Sequence, residues 1–212
     1  ASLYAALLQE DGITLEIRET EGPMQSLEEL RQPDSGVDLA FVPGGMAGGQ
    51  STVGLESLGS LYYEPLWIFQ KGKRKIEHLS QLKGLRVAVG RPDSSTRLIT
   101  KVLLDAAGVN EQNATLYEIG LDDSMEALRH GIVDVVFLGG VPNSPLIAEV
   151  ANMPGVSLVD LDDSEAIARQ YPFLHHLVLP ESALSLQANI PPRRAHLLAP
   201  TVTLVARDTL HP

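Results

Sequence analysis

Two kinds of residue are scarce in this chain of 212 residues: cysteine is absent, and Lys and Arg (16) are outnumbered by Asp and Glu (27). Without a thiol group, the chain cannot build disulfide frameworks, thiolate nucleophiles, iron–sulfur clusters or cysteine-bound zinc. The net charge of −11 argues against nucleic acid and anionic membranes as partners, because both are bound through clustered positive charge. The cellular compartment stays open, since cysteine-free chains occur on both sides of a membrane.

Long apolar runs are also missing. The longest apolar stretches, residues 133–141 and 197–206, have the length of strands, and Pro200 interrupts the second one. A helix that spans a bilayer needs about 20 apolar residues, so we predict no membrane-spanning segment. The chain begins at Ala1 without an initiator methionine or a basic and apolar leader, which is compatible with a removed signal peptide or with a trimmed start.

The common catalytic and cofactor motifs do not occur. The sequence holds no H-E-x-x-H, G-x-S-x-G, Walker A or G-x-G-x-x-G pattern. His175 and His176 are adjacent and point to opposite faces of a strand, which is unfavourable for joint metal binding. The acidic run over residues 160–165 is more typical of a turn followed by a helix start than of a metal site. We therefore predict no catalytic residue, no metal and no cofactor.

What is present is the composition of an ordinary globular protein, with 44% hydrophobic residues, 20% charged residues and a mean hydropathy of +0.04. At this length, the composition supports one large domain or two small ones and excludes disordered, collagen-like and coiled-coil classes.

Predicted strands alternate with short amphipathic helices, which indicates an α/β protein whose mainly parallel sheets are flanked by helices. The clearest helix covers residues 95–107, which Ser94 or Ser95 would cap and Gly108 would end. The predicted strands are Ile13–Glu19, Val37–Val42, Leu66–Gln70, Arg86–Val89, Thr115–Ile119, Val133–Leu138, Val156–Leu161, His176–Leu179 and Thr201–Ala206.

An internal repeat relates residues 26–45 to residues 124–140. Each copy contains a serine-capped helix, a glycine, an aspartate near the start of a buried strand and a glycine pair at the end of that strand. A predicted strand precedes each copy, at 13–19 and at 115–119. Any two βαβ units look alike to this extent, but the shared order of features also predicts two similar lobes.

Two facing α/β lobes would bind a ligand in the cleft between them, at the carboxyl ends of the strands and the N-termini of the helices. The stretch Leu61–Trp67 is predicted to cross from one lobe to the other, and Pro200–Arg207 to return. The basic, non-periodic stretch Lys71–Lys75 marks the domain boundary. The predicted lobes are residues 1–70 with 195–212 (lobe 1) and residues 71–194 (lobe 2).

The loop Gly90–Thr96 follows a strand and opens the clearest helix, so its backbone N–H groups and hydroxyls are suited to bind a carboxylate or other small anion. Ser94 or Ser95 could equally act as a simple helix cap. Arg97 could add a bidentate contact, although an arginine in a first turn more often faces solvent. On the other lobe, Thr20–Met24 precedes the first repeat helix, and Glu21 there would favour an amine.

The glycine pairs at 44–45 and 139–140 could let the backbone approach a ligand closely or could simply turn the chain. Tyr62 and Tyr63 could line the pocket, although strand aromatics more often fill a core. The complete predicted ligand-binding set is Tyr4, Gly22, Met24, Gly44, Gly45, Met46, Tyr62, Tyr63, Ser94, Ser95, Thr96, Arg97, Gly139 and Gly140.

Several segments resemble, in order, those of the TAXI family of TRAP transporter solute receptors, which have the two-lobed type II periplasmic binding-protein fold. They are Ser26–Arg31 with Val37–Val42, Leu61–Pro65, Leu79–Gly90, the loop Gly90–Thr96 and Gly139–Ile147. Two departures stand out. The family's Gly-Ser-Gly-Thr loop is Asp-Ser-Ser-Thr at residues 93–96, and the first strand and final helices of the family pattern have no counterpart before Ser2 or after Arg207.

The resemblance implies an extracytoplasmic or periplasmic receptor that captures a small organic anion or amino acid and delivers it to membrane transporter subunits. The main alternative is the ligand-sensing domain of a regulator or membrane receptor, because LysR-type effector domains share this fold and a similar Glu-Pro crossover. An enzyme similar to thiamine-pyrimidine synthases is the third reading, and the missing catalytic residues disfavour it.

Overall fold

The computed structural model describes residues 2–46 and 52–210. The helices of the described residues are α1 (Ser2–Glu10), α2 (Pro23–Arg31), α3 (Ser95–Ala106), α4 (Leu121–Arg129), α5 (Pro145–Ala151) and α6 (Ser164–Gln170). The strands are β1 (Leu39–Pro43), β2 (Leu55–Tyr63), β3 (Leu66–Lys71), β4 (Arg86–Ala88), β5 (Thr115–Tyr117), β6 (Val135–Gly139), β7 (Val156–Leu158), β8 (Leu174–Leu179) and β9 (Ala195–Arg207). Two short 3₁₀ turns cover Pro33–Ser35 and Leu79–Leu82.

The long strand β9 connects two groups of strands. Its C-terminal part pairs with β1 and β2, while its N-terminal part pairs with β8 and meets β3 where Leu66 lies opposite Leu198. The strand order along the main path is β1-β9-β3-β6-β4-β5. A single strand therefore ties the small group β1, β2 and β9 to the larger group built on β3 and β6.

The sheet is mixed, which corrects the expectation of mainly parallel sheets. Among the described strands, the parallel pairs are β4 with β5 and β4 with β6. The other pairings are antiparallel because β3 and β9, the two strands that follow the chain crossings, run against their neighbours. Antiparallel neighbours need no helical connection, whereas α3 connects β4 to β5 and α4 connects β5 to β6.

The core is concentrated around β3. Its residues alternate between two faces, as a strand requires: Leu66 and Ile68 pack into one large apolar cluster, and Trp67 and Phe69 into another. All four side chains are buried. A third, much smaller cluster lies between α2 and β1 and consists of Leu27, Leu30, Ala40, Val42 and Met46. Because burial of each large apolar side chain stabilises the fold by about 1.5–3 kcal/mol, the two large clusters on either face of β3 contribute more than the small one.

The predicted strand Ile13–Glu19 is wrong. Residues 13–20 have no regular structure, and Ile13 and Ile17 are exposed. An alternating apolar pattern forms a strand only when a neighbouring strand supplies hydrogen bonds, and within the described part of the chain β1 pairs with β9 alone. The other predicted strands are present with shifted ends, whereas α1 and β2 were not predicted.

The helices of the repeat begin four residues earlier than a serine cap predicted. Gly22 and Gly120 are the N-cap residues of α2 and α4, so Ser26 and Ser124 lie inside the first turn. Each serine hydroxyl donates to an upstream carbonyl, of Gly22 at 3.3 Å and of Ile119 at 3.4 Å. The two copies therefore share a local structure that differs from simple serine capping.

Crossing a bilayer requires a long apolar helix, and none of the helices in residues 2–46 or 52–210 is of that kind.

Candidate functional site

The loops that precede α2 and α3 touch each other. A Cβ atom placed on Gly22 would lie 2.8 Å from the carbonyl oxygen of Asp93, closer than two atoms can pack. Gly22 has an extended backbone (φ 169°), so the glycine is needed here for close approach rather than for an unusual dihedral angle. Leu98 on α3 also packs against the apolar cluster of α2 and β1. The N-terminal ends of the two helices therefore meet face to face.

The start of α3 offers hydrogen-bond donors. The Ser94 hydroxyl is already used, because it accepts from the N–H of Arg97 at 3.1 Å and donates to the carbonyl of Arg91 at 2.7 Å. Within the described ranges, the N–H groups of Ser95 and Thr96 have no protein acceptor. At a helix start these free donors coincide with the positive end of the helix dipole. Within the loop that the sequence predicts to bind an anion, Ser95 and Thr96 are therefore the residues with backbone donors to offer.

A small pocket of about 150 Å³ lies beside this helix start. It is enclosed by three segments: the loop into α3, the loop into α4 and the end of β6. Its lining includes Gly90, Ser94, Thr96, Gly120, Ser124 and Gly139. The pocket lies at the carboxyl ends of β4, β5 and β6, which is where open α/β sheets bind their ligands.

Arg97 points away from a ligand. Its guanidinium group forms an ion pair with Glu118 at 2.6 Å, and its Nε also donates to the same carboxylate at 2.7 Å. The arginine side chain is largely buried by this arrangement. The structure therefore does not bring Arg97 into the pocket as a carboxylate clamp.

The crossover between β2 and β3 places Glu64 next to the pocket. The backbone N–H of Glu64 donates to the carbonyl of Pro200 at 3.0 Å, which fixes the crossover against β9. Its side chain is half-buried, and burial raises the pKa of the Glu64 carboxyl above its usual value. The sequence reasoning read the Glu-Pro dipeptide only as a backbone signal and missed the carboxylate, although an acidic side chain directly after a strand was visible.

Tyr62 lies on the same face as Glu64. Burial raises the pKa of the Tyr62 phenol most, and the negative charges of Glu64 and Tyr4 raise it further, which shows that the three groups are neighbours. Tyr63 points to the opposite face, where its ring centre lies 4.7 Å from that of His175. Adjacent strand residues alternate in this way, so Tyr62 lies on the side of Glu64 and Tyr4, and Tyr63 lies on the other side.

Gly139 lies between the crossover and the start of α3. A Cβ atom at this position would lie 2.7 Å from the hydroxyl oxygen of Thr96 and 3.8 Å from a carboxylate oxygen of Glu64. The missing side chain leaves a space that both polar groups face. Three segments that are distant in sequence, the end of β2, the start of α3 and the end of β6, thus converge at one point.

The first glycine pair has a different environment. A Cβ atom on Gly45 would lie 2.7 Å from the ring of Phe173, and one on Gly44 would lie 3.1 Å from the same residue, so Phe173 occupies the adjacent space. Both pairs do flank the strand crossings, since the N–H of Gly44 donates to Thr201 at 2.8 Å and that of Gly140 donates to Pro65 at 3.3 Å. Their roles in ligand binding stay predictions.

Two methionines from the predicted set face the small core. Met46 is buried in the cluster of α2 and β1, and Met24 packs against that cluster. Tyr4 on α1 lies with its ring centre 6.0 Å from that of Phe41 and is partly exposed. Of these three residues, only Tyr4 lies close to Tyr62.

His176 and His196 contact each other and are not part of the lining of the pocket. The ring of His176 stacks on that of His196 at 5.2 Å, and His196 contacts the carboxylate of Asp160 at 3.0 Å. Across the part of the chain that the structure describes, no group of three or more His, Asp or Glu side chains is arranged to hold a metal ion.

Comparisons with known proteins agree with this architecture. The sequence matches the NMT1-like family over residues 1–191. Among solved structures, the regulatory domain of CcmR from Synechocystis PCC6803, in complex with 2-PG, has 15% identity and a TM-score of 0.58, covering 99% of this chain and 82% of that one. The ligand-binding core of GluR0 with L-glutamate has 12% identity and a TM-score of 0.58, covering 99% and 75%.

The periplasmic aliphatic sulphonate-binding protein SsuA from Escherichia coli is also similar, with 16% identity and a TM-score of 0.55, and the match covers 94% of this chain and 59% of SsuA. These likenesses confirm the predicted α/β, two-lobed type II periplasmic binding-protein fold. The match over residues 1–191 covers most of the sequence, and the chain therefore belongs to the NMT1-like family.

Proposed function

We propose that this chain is a non-catalytic solute receptor that holds a small organic anion or amino acid between two lobes. The lobes are residues 1–70 with 195–212 and residues 71–194. The observation that carries this proposal is the convergence of Glu64, Thr96 and Gly139 beside a pocket of about 150 Å³, next to the contact between Gly22 and Asp93. Polar groups from distant segments meet there without forming a catalytic set.

The anionic end of the ligand binds at the start of α3 in this proposal. The free N–H groups of Ser95 and Thr96 donate to it, and the helix dipole adds a favourable electrostatic contribution. The Thr96 hydroxyl is the third donor. Tyr62 and Tyr4 close the pocket from the other lobe, so that a bound ligand contacts both lobes and favours the closed arrangement by its higher affinity for it.

The proposed setting is extracytoplasmic, with delivery of the ligand to membrane subunits of a TRAP-type transporter. Support comes from the segments that resemble TAXI receptors, above all Leu61–Pro65 and Leu79–Gly90. SsuA, which has the same fold, is a periplasmic binding protein. The test is co-purification of the chain with the membrane subunits encoded beside its gene, in the presence and absence of ligand.

A ligand-sensing domain of a regulator is the second candidate. The CcmR regulatory domain, which is similar in fold with a TM-score of 0.58, supports this candidate. A DNA-binding or kinase segment within the same polypeptide would favour this candidate, and a transporter subunit that binds the chain would favour the first.

A thermal-shift screen with amino acids, dicarboxylates and sulfonates tests ligand binding itself. A true ligand at about 100 times its Kd stabilises the protein by about 2.7 kcal/mol, which raises Tm by about 5–11 °C for a chain of this size. Thr96→Val keeps the shape but removes the hydroxyl, and we expect a smaller shift for this variant. Thr115→Val, at the opposite end of the parallel strands, is the matched control. No shift with any compound contradicts the receptor function.

A further inference from the structure

The Glu64 carboxylate lies beside the pocket and has no counterion among the described residues. It accepts no hydrogen bond from any described side chain or backbone group and forms no ion pair with them. The nearest arginine of the helix start, Arg97, is already held by Glu118 at 2.6 Å. A carboxylate that loses water without gaining a partner destabilises a protein, so such a group calls for a functional explanation.

None of the described side chains next to Glu64 carries a positive charge. These side chains are Tyr4 of α1, Tyr62 of β2 and Thr96 of α3, whose hydroxyl is neutral. The Tyr63 and His175 contact lies on the opposite face of the crossover. The basic side chain in the lining of the pocket, Arg91, belongs to the exposed loop into α3, and neither a hydrogen bond nor an ion pair joins it to Glu64. A bound ammonium group would therefore supply the positive charge beside Glu64.

The positive end of the pocket lies on its other side. The free N–H groups of Ser95 and Thr96 belong to α3, while Glu64 belongs to the crossover. Gly139 separates the two ends without filling the space, since a Cβ there would touch Thr96 and approach Glu64. The pocket is therefore bipolar, with donors at one end and an acceptor at the other, and its volume of about 150 Å³ suits a small molecule.

We propose that Glu64 determines the specificity of the receptor by accepting hydrogen bonds from an ammonium group of the ligand. This inference rests on the proposed function and narrows it: the ligand is a small zwitterion, with its anionic group at Ser95 and Thr96 and its ammonium at Glu64. A simple organic anion of the same shape is rejected, because it leaves the carboxylate buried and unpaired and places a second negative charge near it.

The proposal carries a pH signature. Burial raises the pKa of the Glu64 carboxyl in the free protein, and a bound ammonium lowers it again because it favours the ionised form. Affinity for a zwitterion therefore falls as the pH decreases through the raised pKa, and binding above that pH leaves the proton count unchanged. The pKa of the Tyr62 phenol is raised above its ordinary value, so its titration does not obscure the effect.

Isothermal titration calorimetry on the whole chain tests the proposal with matched pairs of probes: L-glutamate and glutarate, L-alanine and propionate, taurine and ethanesulfonate. We expect at least one amino member to bind and its deaminated partner to bind at least about tenfold more weakly, since a hydrogen bond to a charged group contributes about 1.5–3 kcal/mol. We expect Glu64→Gln to lower the affinity for the amino member by about 10–100-fold. The affinity for the deaminated member should stay the same or increase.

Two control variants keep the result interpretable. Glu118→Gln changes an acidic residue that faces Arg97 rather than the crossover, and it should preserve the preference for the amino member. Glu64→Asp retains the charge on a shorter side chain and should give an intermediate affinity. Circular dichroism and Tm for each variant verify that it is folded.

The possible failures are distinguishable. Equal affinity for amino and deaminated members, or an unchanged preference in Glu64→Gln, overturns the role of Glu64 while the receptor function stands. If no probe binds, both the receptor function and the role of Glu64 are overturned. A preference for the amino member that disappears in Glu64→Gln, and that weakens at low pH in the native chain, supports both the receptor function and the role of Glu64.

Discussion

The two copies of the repeat, residues 26–45 and 124–140, share a pattern of residues but not an environment. In the first copy, β1 pairs only with β9 among the described strands and its helix packs on a small apolar cluster. In the second copy, β6 lies between β3 and β4 and contributes to both large clusters. The glycine pair of the first copy meets Phe173, whereas Gly139 faces the pocket. A shared local pattern therefore predicts a shared local structure, while the neighbours decide what each copy does.

The equivalent phenylalanines should show the largest difference. Phe137 is buried between the strands, whereas Phe41 is half-buried beside Tyr4. We expect Phe137→Ala to lower the free energy of unfolding by about 3–5 kcal/mol and Phe41→Ala by about 1–2 kcal/mol, because less apolar contact is lost at the more exposed site. Urea denaturation of both variants measures this, and equal losses would remove the contrast between the copies.

Substitutions of the equivalent glycines, Gly44 and Gly139, should have different effects, one on stability and the other on ligand affinity. Gly139→Ala places a methyl group 2.7 Å from the Thr96 hydroxyl, which must turn away, and we expect ligand affinity to fall by about tenfold, or about 1.4 kcal/mol. Gly44→Ala meets Phe173 at 3.1 Å, so we expect a loss of stability of about 1 kcal/mol with unchanged affinity. Calorimetric titration and thermal melts of both variants test this. A loss of affinity in Gly44→Ala alone would show that the pocket lies beside the first copy.

The contact between the two loops provides a third test. Gly22→Ala places a methyl group 2.8 Å from the Asp93 carbonyl and should hold the two helix starts apart. We expect a larger radius of gyration in solution and an affinity that is about 3–10-fold weaker, because the ligand must pay for moving the loops together. Ser35→Ala, on the other side of α2, is a control for general effects on that helix. Small-angle scattering that is identical for Gly22→Ala and the native chain would contradict the closing contact.

The equivalent aspartates should show the smallest difference. Asp134 accepts hydrogen bonds from Arg86 at 2.7 Å and 2.9 Å, and these bonds, more than the attraction of the charges, lower the pKa of the Asp134 carboxyl. A lowered pKa means that the stabilisation is present above the ordinary pKa of an aspartate and is lost as the pH falls through the lowered value. We expect Asp134→Asn to cost about 0.5–1 kcal/mol at neutral pH, since the pair is partly exposed, and to flatten the acid side of the stability profile.

Asp38→Asn is the matched control for that profile. No ion pair involves Asp38 among the described residues, and it contributes mainly a backbone carbonyl that accepts from Arg207 at 3.1 Å. Stability measured against pH for both variants gives the comparison, and an equal change in the two would contradict the assignment to the Arg86 pair.

Sequence reasoning succeeded where a short segment determines its own structure. The apolar stripe that includes Ile99 and Leu103 predicted α3, and both residues are buried in the larger core. The order of strands and helices predicted the α/β class for the same reason. These features depend on periodicity, which is visible within a single window of sequence.

The failures have a common physical cause, which is dependence on distant partners. Residues 13–19 have an alternating pattern but no neighbouring strand, and β2, whose middle contains Ser57, Gly59 and Ser60, forms a strand because β9 supplies hydrogen bonds along its length. The position of Glu64 beside Gly139 is likewise set by tertiary packing across the crossover. The helix start at Ser95 and Thr96 and the glycine pair that includes Gly139 were both predicted, because each is visible within a short stretch of sequence.

A crystal structure of the chain with its tightest-binding amino acid tests the central claim most directly. The account predicts an ammonium nitrogen about 2.7–3.2 Å from a Glu64 carboxylate oxygen and an anionic group at the same distance from the N–H groups of Ser95 and Thr96. A ligand bound elsewhere, for example in the surface groove beside Arg129 and Met153, or bound at α3 with Glu64 turned into solvent, would contradict it.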